Sequence, residues 1–164
     1  MTTPNPRSVA GRSTPIQTAA FTVASIFVLA GILGFIPGIT THYDTLAWAG
    51  HHSGAKLLGL FNVSVLHNVV HLAFGVAGVL MLRTAQSTRL YLIGGGIIYA
   101  VLWLYGLVID RDSAANFIPV NSADNWLHFG LAVGMILLGA VLGRVGVGSH
   151  RLRHPRAGPT GSTA

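Results

Sequence analysis

The chain has 164 residues, of which 51% are hydrophobic and only 9% are charged, and its formal net charge is +6. About a quarter of the residues in a soluble domain are charged, so this composition excludes an ordinary soluble protein and indicates a membrane protein. There is no cysteine, which excludes disulfides, thiolate zinc sites and a cysteine nucleophile. Because the basic residues are spread over separate segments, we expect the lipid bilayer, and not nucleic acid, as the partner.

Four long apolar runs follow one another along the chain. They cover residues 16–36, 57–82, 90–109 and 125–143. Each is near the ~20 apolar residues that a helix needs to cross a bilayer. The predicted fold class is therefore all-α, an integral membrane four-helix bundle of up-down-up-down topology without an evident internal repeat.

Two tails flank this predicted domain, which spans residues 16–143. Residues 1–15 and the basic segment 144–164 are rich in Pro, Gly, Ser, Thr and Arg. Such segments bury too little apolar surface to offset the entropy of ordering, so we expect both tails to be disordered.

The charged residues divide between the two sides of the predicted membrane. The tails and the segment between the second and third runs hold eight cationic residues: Arg7, Arg12, Arg83, Arg89, Arg144, Arg151, Arg153 and Arg156. The other side holds two cationic residues and all four acids: Lys56, Arg111, Asp44, Asp110, Asp112 and Asp124. The positive-inside rule therefore predicts that both termini are cytoplasmic.

Polar side chains form a stripe on the second predicted helix. At 100° per residue, Ser64, His67, Asn68 and His71 fall on one face, and the two imidazoles lie one turn apart. Polar groups inside a membrane are costly unless they are paired or hydrated, so a stripe of this kind predicts a functional or structural role. Together with His128 of the fourth helix, these residues form a candidate intramembrane polar site.

Three interpretations of this polar site are open. The side chains can act as interhelical glue by hydrogen bonding across helices. His67, His71 and His128 can instead ligate a divalent metal or haem, or they can line a path for protons or a small solute. No Asp or Glu lies within a predicted span, so we expect no histidine–carboxylate catalytic site in the core.

A second group of polar residues lies in the first outer loop: His42, Asp44, His51 and His52. With an aspartate of the second outer loop these residues could hold a divalent cation. We favour the simpler interpretation, a polar loop that meets water. We expect the two outer loops to pack on each other without a tightly bound metal, and we predict no cofactor.

Three stretches of the chain carry a family resemblance. They read TTHYDTLAWAGHHSGAKLLGLFNVSVLHNVVHLAFGVAG, YLIGGGIIYAVLWLYGLVID and DSAANFIPVNSADNWLHFGLAVGMILLG. Together they resemble a family of small four-pass bacterial membrane proteins known as domain of unknown function 4383, over about residues 20–143. The resemblance implies a multi-pass protein of the bacterial inner membrane, and it implies no reaction, substrate or cofactor.

The expected function is that of a non-enzymatic membrane component that assembles with itself or with a partner protein. Glycine-rich helix faces favour such assembly, because they exceed what one four-helix bundle must bury. One alternative is a redox or metal-binding membrane protein that uses the intramembrane histidines. Another is a proton or small-solute transporter that acts as an oligomer.

Overall fold

The computed structural model describes residues 13–148. It contains four long helices, α1 (Pro15–Leu33), α2 (Val65–Leu80), α3 (Ala85–Val108) and α4 (Ser122–Gly148). When α2 is counted with the 3₁₀ turn Met81–Arg83 that follows it, all four are long and apolar enough to cross a membrane. The predicted all-α fold with four spans is therefore confirmed.

The predicted tails fall almost wholly outside the described residues. Residues 1–12 and 149–164 lie beyond them. Within the described part, Pro15 already belongs to α1, and α4 continues past the expected end at residue 143 to Gly148.

Local sequence signals set the starts of α1 and α3. Gln17 accepts a hydrogen bond from the Thr14 backbone N–H (2.9 Å), and Pro15 sits in the first turn, where its missing N–H costs nothing. The hydroxyl of Thr84 accepts from the backbone N–H of Ser87 (3.1 Å) at the start of α3. Gln17 also donates to the carbonyl of Leu82 (2.7 Å), which ties the start of α1 to the end of α2.

The closest packing joins α1 to α2 and α3 to α4. Glycines make it possible, because a Cβ added at Gly75 would lie 2.7 Å from the Ala24 carbonyl oxygen, and one added at Gly96 would lie 3.0 Å from the Ala132 carbonyl oxygen. Lipid tails are as apolar as leucine, so close backbone approach of this kind drives helix association in a membrane. Large apolar side chains such as Leu137 are exposed on the outside of the bundle, where they would contact lipid.

The prediction of a second span over residues 57–82 is wrong at its start. A small antiparallel sheet precedes α2, with strand order β1 (Thr40–Thr41), β2 (Lys56–Leu57) and β3 (Phe61–Asn62). Lys56 pairs with Asn62 across the β2–β3 turn.

Leu57 and Val63, in the segment before α2, are apolar for a reason other than spanning a membrane. Leu57 and Val63 are buried beside Ala55 in a second core, which packs against the end of α1 at Ala30 and Leu33. Apolar periodicity cannot distinguish a short buried strand from a helix segment, so the predicted second span included strand residues of this sheet together with α2. We call the end of the bundle that carries the sheet and both long loops the sheet end.

Candidate functional site

The polar stripe lies near the sheet end and not at the middle of α2. Ser64 is not in the helix but caps it, accepting a hydrogen bond from the His67 backbone N–H (3.1 Å). His71 is the seventh residue of α2, and His128 is the seventh residue of α4. Because both helices begin at the sheet end, these two histidines lie at a similar depth in the bundle.

The structure brings the three histidines to one cavity of about 270 Å³ beneath the sheet. His67, His71, His128 and Asp124 supply the polar side chains of its wall. Its apolar wall comes from α1, the sheet region and α4, including Ala30, Leu33, Leu57, Phe61, Val63 and Leu131. We call this space the histidine cavity.

The histidine cavity reaches the lipid-facing surface between α1 and α4. Ile26 and Leu29 of α1 line it, yet they are 56% and 55% exposed, and Leu127 of α4 lines it while being 42% exposed. His128, in contrast, is only 4% exposed. The cavity thus connects an apolar, lipid-facing wall to buried imidazoles.

His67 is locally satisfied. Its Nδ1 lies 3.1 Å from the carbonyl oxygen of Asn62, just before the helix begins. Its ring also packs against that of His71, with the ring centroids 4.4 Å apart. The Asn62 contact fixes the ring orientation without using another helix.

The remaining polar atoms of the site have no such partner. Among residues 13–148, Nδ1 of His71, Nδ1 of His128 and both amide atoms of Asn68 are buried without a hydrogen bond. The Asn68 side chain instead packs directly on Gly34, the residue that follows α1, where a Cβ would overlap it. The glue interpretation requires hydrogen bonds across helices, and none of the five candidate side chains makes one within this part of the chain.

Asp124 belongs to this site, although the sequence placed it in an outer loop. It is 2% exposed in the first turn of α4, where its Oδ2 accepts from the backbone N–H groups of Asn62 (3.0 Å) and Asn121 (2.9 Å). The predicted start of the fourth span at residue 125 is therefore too late, because α4 begins at Ser122 and includes Asp124. The expectation that the core holds no histidine–carboxylate catalytic site stays a prediction. The spacing of Asn121 and Asp124, a helix-capping residue followed three positions later by an acid, is the signal that would have found the earlier start.

The two helical hairpins, α1–α2 and α3–α4, share one local arrangement, although the sequence showed no evident internal repeat. Ser64, His67, Asn68 and His71 at the start of α2 have the same spacing as Asn121, Asp124, Asn125 and His128 at the start of α4. The first residue of each set caps its helix by accepting from the backbone N–H three residues later.

Contacts inside each hairpin repeat as well. Asn125 packs on Gly106 of α3, as Asn68 packs on Gly34 just after α1. The ring of His71 lies 5.7 Å from that of Phe27, and the ring of His128 lies 5.4 Å from that of Tyr99. Asn68 matches Asn125 and His71 matches His128, whereas the other two positions of each set differ.

The outer-loop cluster does not form a compact site. His42, Asp44 and His52 are exposed, and the rings of His51 and His52 pack on each other with centroids 3.9 Å apart. Throughout residues 13–148, no group of three or more His, Asp or Glu side chains is placed to hold a metal ion. The loops themselves do contact each other, since the backbone N–H of Gly50 donates to the Phe117 carbonyl (2.7 Å).

One family model matches the chain over residues 17–141, and it is described as Domain of unknown function (DUF4383). No curated protein and no solved structure matches the chain.

Proposed function

The chain thus belongs to the DUF4383 family, whose function is unknown, and we propose from its geometry that it is a non-enzymatic membrane component that binds a molecule from the lipid phase. The histidine cavity is the proposed binding site. One observation carries the proposal: the wall that includes half-exposed Ile26 and Leu29 also includes buried His128. A molecule could therefore enter sideways from the bilayer and reach a polar end without crossing water.

The size and lining of the cavity support this role. Small-molecule sites are mostly apolar with a few placed polar groups, and they usually occupy about 300–1,000 Å³. The histidine cavity, at about 270 Å³, lies close to the lower end of this range and holds four polar side chains. It suits a small head group with the adjoining part of a chain.

Photolabelling in nanodiscs tests the proposal. The probe is a dodecyl chain that carries a diazirine, and labelled peptides are identified by mass spectrometry. We expect saturable labelling around Leu131, which lines the cavity, above the labelling around Leu104, an exposed residue on the outside of α3. Equal, non-saturable labelling at both positions would contradict the proposal.

A cavity-filling variant sharpens this test. Ala30 lines the histidine cavity, so Ala30→Phe should fill it and remove the saturable labelling. Ala100→Phe is the matched control, because Ala100 lines a separate groove between α3 and α4. The control should label as the wild type does.

Self-association is a second proposed role, and one observation favours it. Gly31, Gly75, Gly96 and Gly139 are explained by packing, since an added Cβ would approach a neighbour within 3.0 Å. Gly130 and Gly134 of α4 have nothing within 4 Å, yet they have the small-xxx-small spacing of a membrane helix interface. Gly134→Ile should weaken a dimer measured by energy transfer between labelled chains, whereas Gly94→Ile, at another open glycine, should not.

The metal-binding and transport hypotheses gain no comparable support. Among the described residues, the histidines are not placed to hold an ion as a group of three. The metal-binding hypothesis therefore ranks below a lipid-phase ligand for the histidine cavity.

A further inference from the structure

The polar lining of the histidine cavity points to a particular class of head group. His71 and His128 line the cavity, and Nδ1 of each ring is enclosed without a hydrogen bond within residues 13–148, so the other ring nitrogen, Nε2, is the one left to meet an occupant. A neutral imidazole nitrogen either donates or accepts, depending on the tautomer. The two imidazoles can therefore donate a hydrogen bond to a group that only accepts, such as a carbonyl. They can also pair with a group that both donates and accepts, such as a hydroxyl.

The charge of the lining disfavours an anionic head group. Among the described residues, no lysine or arginine lines the cavity, and Asp124 is the only acid there. A phosphate or carboxylate would meet the Asp124 carboxylate, and no cationic side chain of the wall would offset their repulsion.

A cationic head group fits less well than a neutral one. The Asp124 carboxylate already accepts two backbone hydrogen bonds from Asn62 and Asn121, and the rest of the wall is largely apolar. An ammonium group would lose most of its hydration in such a space, at a cost far above that of a neutral hydroxyl or carbonyl.

We infer that the ligand is a neutral amphipath whose hydroxyl or carbonyl group lies against His71 and His128 and whose hydrocarbon chain leaves along Ile26 and Leu29. This inference rests on the proposed function. The same head-group chemistry occurs in glycerides and in quinones or quinols, so the experiment must separate these sources.

Competition against the diazirine probe tests the head group with a matched set of chains. The competitors are 1-dodecanol, dodecane, dodecyl phosphate and dodecylamine. We expect dodecanol to compete at a concentration about tenfold below that of the other three, because it alone pairs with the imidazoles at little desolvation cost. Equal or stronger competition by any of the other three would overturn the inference while leaving cavity labelling, and hence the proposed function, intact. Absence of saturable labelling at the cavity when no competitor is present would overturn both this inference and the proposed function.

Variants connect the selectivity to a named residue. His128→Leu should remove most of the roughly tenfold preference for dodecanol over dodecane, and His128→Gln, which still donates and accepts, should retain part of it. His52→Leu, at an exposed loop position, is the control and should leave the preference unchanged. Each variant must melt as the wild type does; if His128→Leu does not, the same comparison is made with His71→Leu. An unchanged preference in folded variants at both histidines would overturn the assignment.

Two further competitors identify the source of the group. They are 1-monolauroylglycerol and decylubiquinone. Stronger competition by the first supports a glyceride, and stronger competition by the second supports a quinone. Failure of both to compete would contradict a neutral oxygen-bearing head group.

Discussion

Phe27 and Tyr99 stack on each other inside the bundle, with their ring centroids 5.3 Å apart, and each ring also packs against a histidine of its own hairpin. His71 and His128 are thus held by aromatic contacts, and their Nδ1 atoms make no hydrogen bond within residues 13–148. Side chains oriented by packing alone keep their hydrogen-bonding capacity for a ligand.

His71→Leu should leave the thermal stability of the protein unchanged or raise it slightly. The substitution removes a buried nitrogen without a hydrogen bond and keeps a side chain of similar size, so no partner loses a bond. Thermal melting in detergent measures this. A fall of the melting temperature as large as that of a core glycine variant would restore the glue interpretation.

Gly75→Ala and Gly96→Ala should both destabilise the bundle. A Cβ at Gly75 would lie 2.7 Å from the backbone carbonyl of Ala24, and one at Gly96 would lie 3.0 Å from that of Ala132. Backbone atoms cannot move aside as a side chain can, so we expect a loss of about 1–3 kcal/mol for each, seen as a lower melting temperature. Gly130→Ala, which meets nothing within 4 Å, should melt as the wild type does.

Asp124→Ala should destabilise the sheet end. It leaves the backbone N–H groups of Asn62 and Asn121 without their acceptor, at a cost of about 1–3 kcal/mol for each group that stays buried. Asp124→Asn retains an acceptor oxygen and should lose much less. Hydrogen exchange of the Asn62 amide reports the effect directly, with exposed Asp112→Ala as the control. Unaltered exchange in Asp124→Ala would contradict the anchoring role.

Both termini should be cytoplasmic, as the charge distribution predicts. Single cysteines in this cysteine-free chain test it, and exposed positions are the suitable ones: His52 and Ala114 at the sheet end, and Gln86 at the opposite end. An impermeant thiol reagent should label positions 52 and 114 in intact cells and spare position 86. The reverse pattern would show that the orientation is inverted. Ser53 is unsuitable, because it is buried and donates to the Val63 carbonyl.

Long apolar runs made the four helices predictable, because a bilayer imposes one length and one composition on every span. The small β1–β2–β3 sheet was not predictable in the same way. Leu57 and Val63 are apolar because they are buried in a small core at the end of α1, and not because they cross a bilayer. Similarly, an aspartate such as Asp124 is typical of a loop. Only its hydrogen bonds with Asn121 show that it belongs to the first turn of α4.

The candidate site was predictable in its residue types but not in its chemistry. Helical spacing places His67 and His71 on one face, and that holds in the structure. Whether a buried imidazole has a partner depends on the facing helices, and the sequence gives no distances between them. The repeat of Asn68 and Asn125, each packed on a glycine, became visible only through those contacts.

Equilibrium binding of tritiated 1-dodecanol to the protein in nanodiscs is the decisive measurement for a lipid-phase ligand site at the histidine cavity. We expect a single saturable site per chain in the wild type and in Ala100→Phe, and its loss in Ala30→Phe, provided that both variants melt as the wild type does. Non-saturable partitioning of equal extent in all three proteins would show that the cavity is not a ligand site.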